Sequence, residues 1–223
     1  VDDEALRQVE VATALQWAAG GPNSPVAGAL GRELADRLTG LQVAVLVEGV
    51  SDQAAIHALA ALSGRNLRAE GVSVLPMGGA MSVGRFLDVL GPRGLDVRLA
   101  GLCDAGEEQY VRRALERAGL GFGLDRSGME ALGFHTCVAD LEEELIRALG
   151  VEVAHEVIEA EGELRAFRTF QRQPAQQGRG AARQIRRFLG TTSGRKAHYA
   201  RALVERLTPA QVPAPLARLL ADI

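Results

Sequence analysis

Seven carboxylates in this 223-residue chain stand where acidic side chains could do chemistry. Glu48 directly follows the apolar run Val43-Ala44-Val45-Leu46-Val47, and Asp52 comes four residues later. A charge at the end of a buried strand is costly unless it is paired or bound to a metal. Asp104 ends a second apolar run, Val97 to Cys103, and Glu107 and Glu108 follow within one turn. Asp140 and Glu142 come just after a third, Phe134 to Val138. Carboxylates drawn together repel and need a cation. Hard oxygen donors without His or Cys point to Mg²⁺ or Mn²⁺, one or two ions, rather than zinc. Glu48 and Asp104 aside, the acids also have a plainer role. Asp52, Glu107 and Glu108 can offset a helix dipole, worth about 0.3–1 kcal/mol, Asp140 can be an N-cap, and some of Glu142 to Glu144 must face water.

The elements around these acids explain why they should meet. From Leu41 to Gly150 short apolar runs alternate with helical periodicity. Strands are expected at 43–47, 72–75, 97–103 and 134–138. Helices are expected at 54–62, 81–90, 107–118 and 141–149, with Ser51 and Asp140 as N-caps. This alternation predicts an α/β fold, a parallel sheet of about four strands covered by helices on both faces. Functional residues of such sheets gather at the carboxyl ends of the strands, where Glu48, Gly78-Gly79, Asp104 and Asp140 fall. Residues 1–40 read as an N-terminal helical segment, with Val26, Leu30, Leu34 and Leu38 four apart, 41–150 as the α/β domain, and 151–223 as a helical extension. In that extension one helix is expected over 151–170, followed by a polar loop and helices at 181–189, 195–207 and 213–223.

Charge is unevenly spread. Between Leu164 and Arg206 there are ten Arg and one Lys against a single acid, Glu205, so this segment carries +10 and the rest −13 of the net −3. The asymmetry suggests an anionic partner for one part and cations for the other; a solvated basic face beside an acidic body is the bland alternative. Lys196 is the one lysine among 25 basic residues; either a compact amine serves better there than a planar guanidinium, or the lysine is a chance retention.

Other chemistries are excluded or discounted. No apolar run reaches about 18 residues, so no spanning helix is expected, and no signal peptide is visible. Cytoplasmic location is the default. The chain begins at Val1, so an upstream piece is expected to be missing. Two cysteines, Cys103 and Cys137, cannot build a disulfide framework or a four-cysteine zinc site. No P-loop motif occurs. Gly119, Gly121 and Gly123 follow a helix, whereas a dinucleotide site needs them between strand and helix. The four histidines lack metal-ligand spacing and read as structural.

The segment Val47-Glu48-Gly49-Val50-Ser51-Asp52 resembles the first motif of the TOPRIM domain of topoisomerases, primases and several nucleases. Pro76-Met77-Gly78-Gly79-Ala80 with Gly84-Arg85-Phe86-Leu87, then Asp140-Leu141-Glu142 and Gly194-Arg195-Lys196, resemble the overcoming-lysogenization-defect (OLD) branch of ATP-dependent endonucleases. The resemblance spans about Gln42 to Leu207. It implies that Glu48 and Asp52 are the family's first acidic pair, that its Asp-x-Asp motif starts at Asp104, and that Lys196 is its late basic residue. Gly106 stands where the second Asp of that motif is expected, which leaves Glu107 or Glu108 to supply a carboxylate. The family's ATPase domain has no room in residues 1–39, so the resemblance implies a separate ATPase chain or action without one.

The implied activity is metal-dependent hydrolysis of DNA phosphodiesters. Glu48, Asp52, Asp104, Glu107, Glu108, Asp140 and Glu142 would hold one or two ions about 3.5–4 Å apart. Lys196 would neutralise the scissile phosphate. Arg179, Arg183, Arg186, Arg187 and Arg195 would grip the DNA backbone without reading sequence. Two alternatives stand beside it. One is a degenerate, non-catalytic TOPRIM module that binds nucleic acid or a partner ATPase. The other is a small-molecule phosphotransfer enzyme, against which the ten-charge surface argues.

Overall fold

The computed structural model describes residues 3–34, 40–192 and 194–223. Two helices, α1 (Asp3–Ala18) and α2 (Ala27–Leu34), precede the sheet; Leu38, the last of the expected apolar positions, lies outside the described residues. The sheet has four parallel strands, β1 (Val43–Val47), β2 (Val72–Pro76), β3 (Arg98–Asp104) and β4 (Phe134–Cys137), in the order β2-β1-β3-β4. The crossovers are α3 (Val50–Leu62), α4 (Val83–Leu90), and α5 (Glu108–Ala118) with α6 (Arg126–Ala131). Because every pair is parallel, all four carboxyl ends share one edge. Val47 stands opposite Pro76 and Leu102, and Asp104 opposite Cys137.

Every residue of β1 and β2 is buried, as a strand covered on both faces requires. Val43, Val45 and Val47 join a core built with α3 and the C-terminal helices α7 (Leu141–Leu149), α8 (Val151–Ala160), α9 (Leu164–Gln171), α10 (Ala181–Leu189), α11 (Arg195–Val204) and α12 (Ala214–Asp222). Ala44 and Leu46 point to the other core, with α1, α2, α4, α5 and α6. Phe86 and Leu90 of α4 are fully buried there, worth roughly 1.5–3 kcal/mol each. Cys103 and Cys137 belong to opposite cores and are free thiols.

The elements differ from the sequence pattern in three informative places. The helix expected over 151–170 is two, α8 and α9, with Gly162 at φ +73° between them. The six-residue α6, too short and polar to show periodicity, is set by Asp125, whose Oδ1 accepts from the Gly128 N–H at 2.7 Å. The N-cap of α3 is Gly49 rather than Ser51.

Buried polar groups finish the sheet. β2 is an edge strand, whose unpaired backbone would invite another strand. Glu33 of α2 accepts from the Val74 N–H at 3.0 Å and Gln53 donates to the Val74 carbonyl at 2.8 Å, so both groups are spoken for. The His57 ring lies 3.3 Å from the same Glu33. At the amino ends of the strands, His135 meets Asp222 at 2.6 Å and Arg65 donates to the Ile223 carbonyl at 2.6 Å, clasping α12. In mid-sheet, Gly101 leaves room for the Phe134 ring, since a Cβ there would fall 2.6 Å from Phe134 Cδ1 and 3.0 Å from the Leu46 carbonyl oxygen.

Candidate functional site

The parallel sheet delivers Glu48 and Asp104 to one edge, as the ends of neighbouring strands β1 and β3. Both line a cleft of about 500 Å³ together with Asp52, Glu142, Lys196 and the Gly78-Gly79 turn. Gly78 (φ +76°) and Gly79 (φ +122°) adopt backbone that other residues rarely reach. Their N–H groups donate to the Glu48 carbonyl at 3.0 and 3.1 Å, which folds the turn over the end of β1. Thr191 and Thr192, from the loop between α10 and α11, close another side. Sequence reasoning did not single out these threonines; their one signal was the Gly190–Gly194 loop ahead of the single lysine.

The carboxylates near the ends of β1 and β3 crowd one another. Burial is the main cause that pushes Asp104 up to about 8, and Asp52, Glu48, Asp140 and Glu107 add repulsion. Asp52 is pushed up to about 7 by burial, against the opposing hydrogen bond from the Gly49 N–H (2.9 Å), with Glu142 and Glu48 adding to the rise. Glu107 also rises to about 7, through burial and then the adjoining Glu48 carboxylate, with which it shares a hydrogen bond. Its Oε2 is buried with no partner. No arginine forms a salt bridge to Glu48, Asp52, Asp104 or Glu107 among the described residues.

The acids beyond β4 are engaged differently. Asp140 caps α7 by accepting from the Glu143 N–H at 2.8 Å, and Arg186 binds its other oxygen at 2.5 Å. Glu142 is buried, and Lys196 lies 3.2 Å from its Oε2, while its Oε1 has no partner. Burial alone would lower the Lys196 pKa, but Glu142, then Asp140 and Asp52, hold it above the ordinary lysine value. Glu108 turns to Arg126 at 2.5 Å and does not line the cleft. The structure therefore brings Glu48, Asp52, Asp104, Glu142 and Lys196 together at one cleft, sets Glu107 against Glu48, and gives Glu108 and Asp140 structural partners.

The same distinction sorts the arginines. Arg186 bridges Asp140 and Glu143. Arg195 pairs with Glu163 at 2.9 Å and stacks 4.4 Å from the Phe188 ring. Arg179, Arg183 and Arg187 are exposed and form no salt bridge among the described residues. The same is true of Arg165, Arg168 and Arg172, whose spacing of three and four residues puts them along one side of α9 and its end. The histidines are structural, as their spacing suggested. His57 and His135 have the partners given above, His198 meets Glu161 at 2.6 Å, and His155 packs edge-on to Phe167.

Hard oxygen donors with two buried, unpartnered oxygens fit a divalent cation in kind. They are not gathered for one: among the described residues, no group of three or more His, Cys, Asp or Glu side chains is placed to hold a metal ion. Asp52 is turned back onto its own helix end, Glu142 holds Lys196, and Gly106 brings no carboxylate. No described helix is long and apolar enough to cross a membrane.

Residues 42–105 match the family described as overcoming lysogenization defect protein-like, TOPRIM domain. No curated protein matches the sequence. Among solved structures, the fold resembles the C-terminal region of the Xanthomonas campestris pv. campestris OLD protein, with TM-score 0.64 and 24% identity over 84% of this chain and 94% of that one. It also resembles the C-terminal region of the Burkholderia pseudomallei OLD protein, with TM-score 0.62 and 22% identity over 82% of this chain and 96% of that one. From Gln42, just before β1, to Ala105, just past β3, this chain thus carries a segment matching the OLD-like TOPRIM domain, on a fold like that of the C-terminal region of OLD proteins.

Proposed function

We propose that the chain is a nucleic-acid-binding TOPRIM module. One observation carries this reading: Arg165, Arg168, Arg172, Arg179, Arg183 and Arg187 are exposed on and between α9 and α10 without a carboxylate partner among the described residues. Six unneutralised guanidiniums on and between two neighbouring helices repel one another, and a phosphate backbone relieves that repulsion while releasing counterions. DNA is the expected partner, held without sequence readout. Fluorescence anisotropy of a labelled duplex against salt tests it. The double variant Arg183→Gln/Arg187→Gln should weaken binding and flatten the log–log salt slope by about 1.8, at roughly 0.9 per lost phosphate contact. A wild-type chain that binds no duplex at about 50 mM salt overturns the proposal.

A second reading, divalent-cation-dependent phosphodiester hydrolysis, is favoured by the unpartnered Glu107 Oε2 and the upward-pushed Asp52, Asp104 and Glu107. In that reading Glu48, Asp104 and Glu107 would hold Mg²⁺ or Mn²⁺ after drawing closer together than they stand here. The ion would supply Lewis-acid activation of a phosphate and stabilisation of a leaving oxygen. Lys196 would present its ammonium to the phosphate once Glu142 releases it. Nicking of supercoiled plasmid with Mn²⁺ that disappears in Glu48→Gln supports this reading, and nicking unchanged in that variant removes it.

A further inference from the structure

The face of the sheet opposite α9 and α10 carries a second basic surface. Two adjoining hollows of about 370 and 510 Å³ lie along α4 and α5 and share Met81 and Arg117 as lining. Arg113 lines the first, and Arg85 and Arg93 the second. Two acids also line them. Asp88 lies 3.2 Å from Arg93, and Glu116 accepts from the Leu124 N–H at 2.9 Å; neither forms a salt bridge with the other three arginines among the described residues. Arg85, Arg113 and Arg117 are exposed and form no salt bridge among the described residues. Arg85 donates to Ser82 and Arg117 to the Arg113 carbonyl, so two of the three are oriented by neutral groups and keep their charge uncompensated.

Two large side chains stand open beside these charges. Met81 is 74% exposed and Tyr110 47%. Their position is specific. Met81 lies two residues beyond Gly79, which lines the acidic cleft, and Tyr110 lies three residues beyond Glu107. Ala80, which lines the first hollow, is the chain neighbour of Gly79 in the cleft, so the two adjoin along the chain.

We propose that the α4–α5 groove binds a single-stranded nucleic-acid segment leaving that cleft, with Arg85, Arg113 and Arg117 on its phosphates and a base stacked on Tyr110. A single strand fits because exposed aromatic and thioether surfaces next to uncommitted guanidiniums match unpaired bases next to phosphates, whereas a duplex hides its base faces. The inference rests on the nucleic-acid-binding reading and adds to it a strand preference and a second, separate contact.

The test compares the full chain with Tyr110→Ala, Tyr110→Phe and Arg113→Gln/Arg117→Gln, by anisotropy on a labelled single-stranded oligonucleotide and on a blunt duplex. All three positions are exposed, and thermal midpoints equal to wild type certify the fold. Tyr110→Ala should weaken single-strand binding about tenfold and duplex binding less than about twofold, while Tyr110→Phe keeps wild-type affinity. The arginine pair should flatten the single-strand salt slope by about 1.4, at roughly 0.7 per contact. Unchanged single-strand affinity in these variants, equal losses on both ligands, or a wild type that binds duplex alone overturns the groove assignment and leaves the α9–α10 proposal standing. A wild type that binds neither ligand overturns both.

Discussion

The ends of β1 and β3 and the end of β4 are occupied by the same chemical group and reach opposite electrostatic states. Asp140, just past β4, receives a helix N–H and a guanidinium, and Glu142 an ammonium. Glu48, Asp104 and Glu107 receive mainly one another, and burial and repulsion push Asp104 and Glu107 well above the ordinary carboxyl range. The difference comes from where the basic segment lands. Arg186 and Lys196, on α10 and α11, reach the β4 side, and no cation of the described residues forms a salt bridge with Glu48, Asp104 or Glu107. A carboxylate at a strand end stays ready for an outside cation only where the fold withholds a countercharge from it.

The comparison can be broken most forcefully on its neutralised side. Asp140→Ala removes an N-cap and leaves Arg186 without its nearer partner, at a cost of about 2 kcal/mol. Urea denaturation should show the loss in midpoint without a change in slope. A loss no larger than a few tenths of a kcal/mol would mean that the β4 acids are no better compensated than their neighbours.

The uncompensated side should respond in the opposite direction. Asp104 titrates near 8 in the fold against 3.8 ordinarily, so ionising it disfavours the folded state. Its cost is absent below about pH 4 and grows as pH rises through about 8. Asp52 and Glu107, near 7, act in the same sense. The wild-type thermal midpoint should therefore fall from pH 5 to pH 8.5. Asp104→Asn should raise it by roughly 2–4 °C at pH 8.5 and by less at pH 5. Mg²⁺ at pH 8.5 should raise the wild-type midpoint and narrow its gap to Asp104→Asn. A wild type indifferent to Mg²⁺ there would remove the cation from this cleft and with it the hydrolytic reading.

The smallest effect sharpens the boundary between the two sides. Glu108 lies in the same chain segment as Asp104 and Glu107 but pairs with the half-exposed Arg126. Glu108→Gln should cost less than about 1 kcal/mol, and the loss should shrink further with added salt.

How much of this was written legibly in the chain depends on distance along it. Short apolar runs located all four strands to within a residue or two, because continuous burial on both faces leaves no other composition for them. The convergence of Glu48 and Asp104 on one cleft was readable from strand ends, whereas Lys196 was placed there only through the resemblance carried by Gly194-Arg195-Lys196. The partners that separate Asp140 from Asp104 were not, since Arg186 comes from 46 residues beyond Asp140 and Lys196 from 54 beyond Glu142. No local pattern encodes such pairings. Asp52 serves two ends at once. Its four-residue spacing from Glu48 suits a shared ligand, and its three-residue spacing from Gly49 lets it reach that N–H and close its own helix.

The contact of Phe134 with Gly101 sets a mechanical condition on everything downstream. The ring lies over mid-strand β3, three residues before Asp104, in a space that a single methyl group would claim. Whatever enlarges that position must push β4 sideways or tilt β3, and either displacement arrives at the rim as a shift in how far Asp104 stands from Glu48. Tolerances at the working edge are thus inherited from an atom's absence deep in the interior, and drift in this sequence should be policed there as strictly as among the acids themselves.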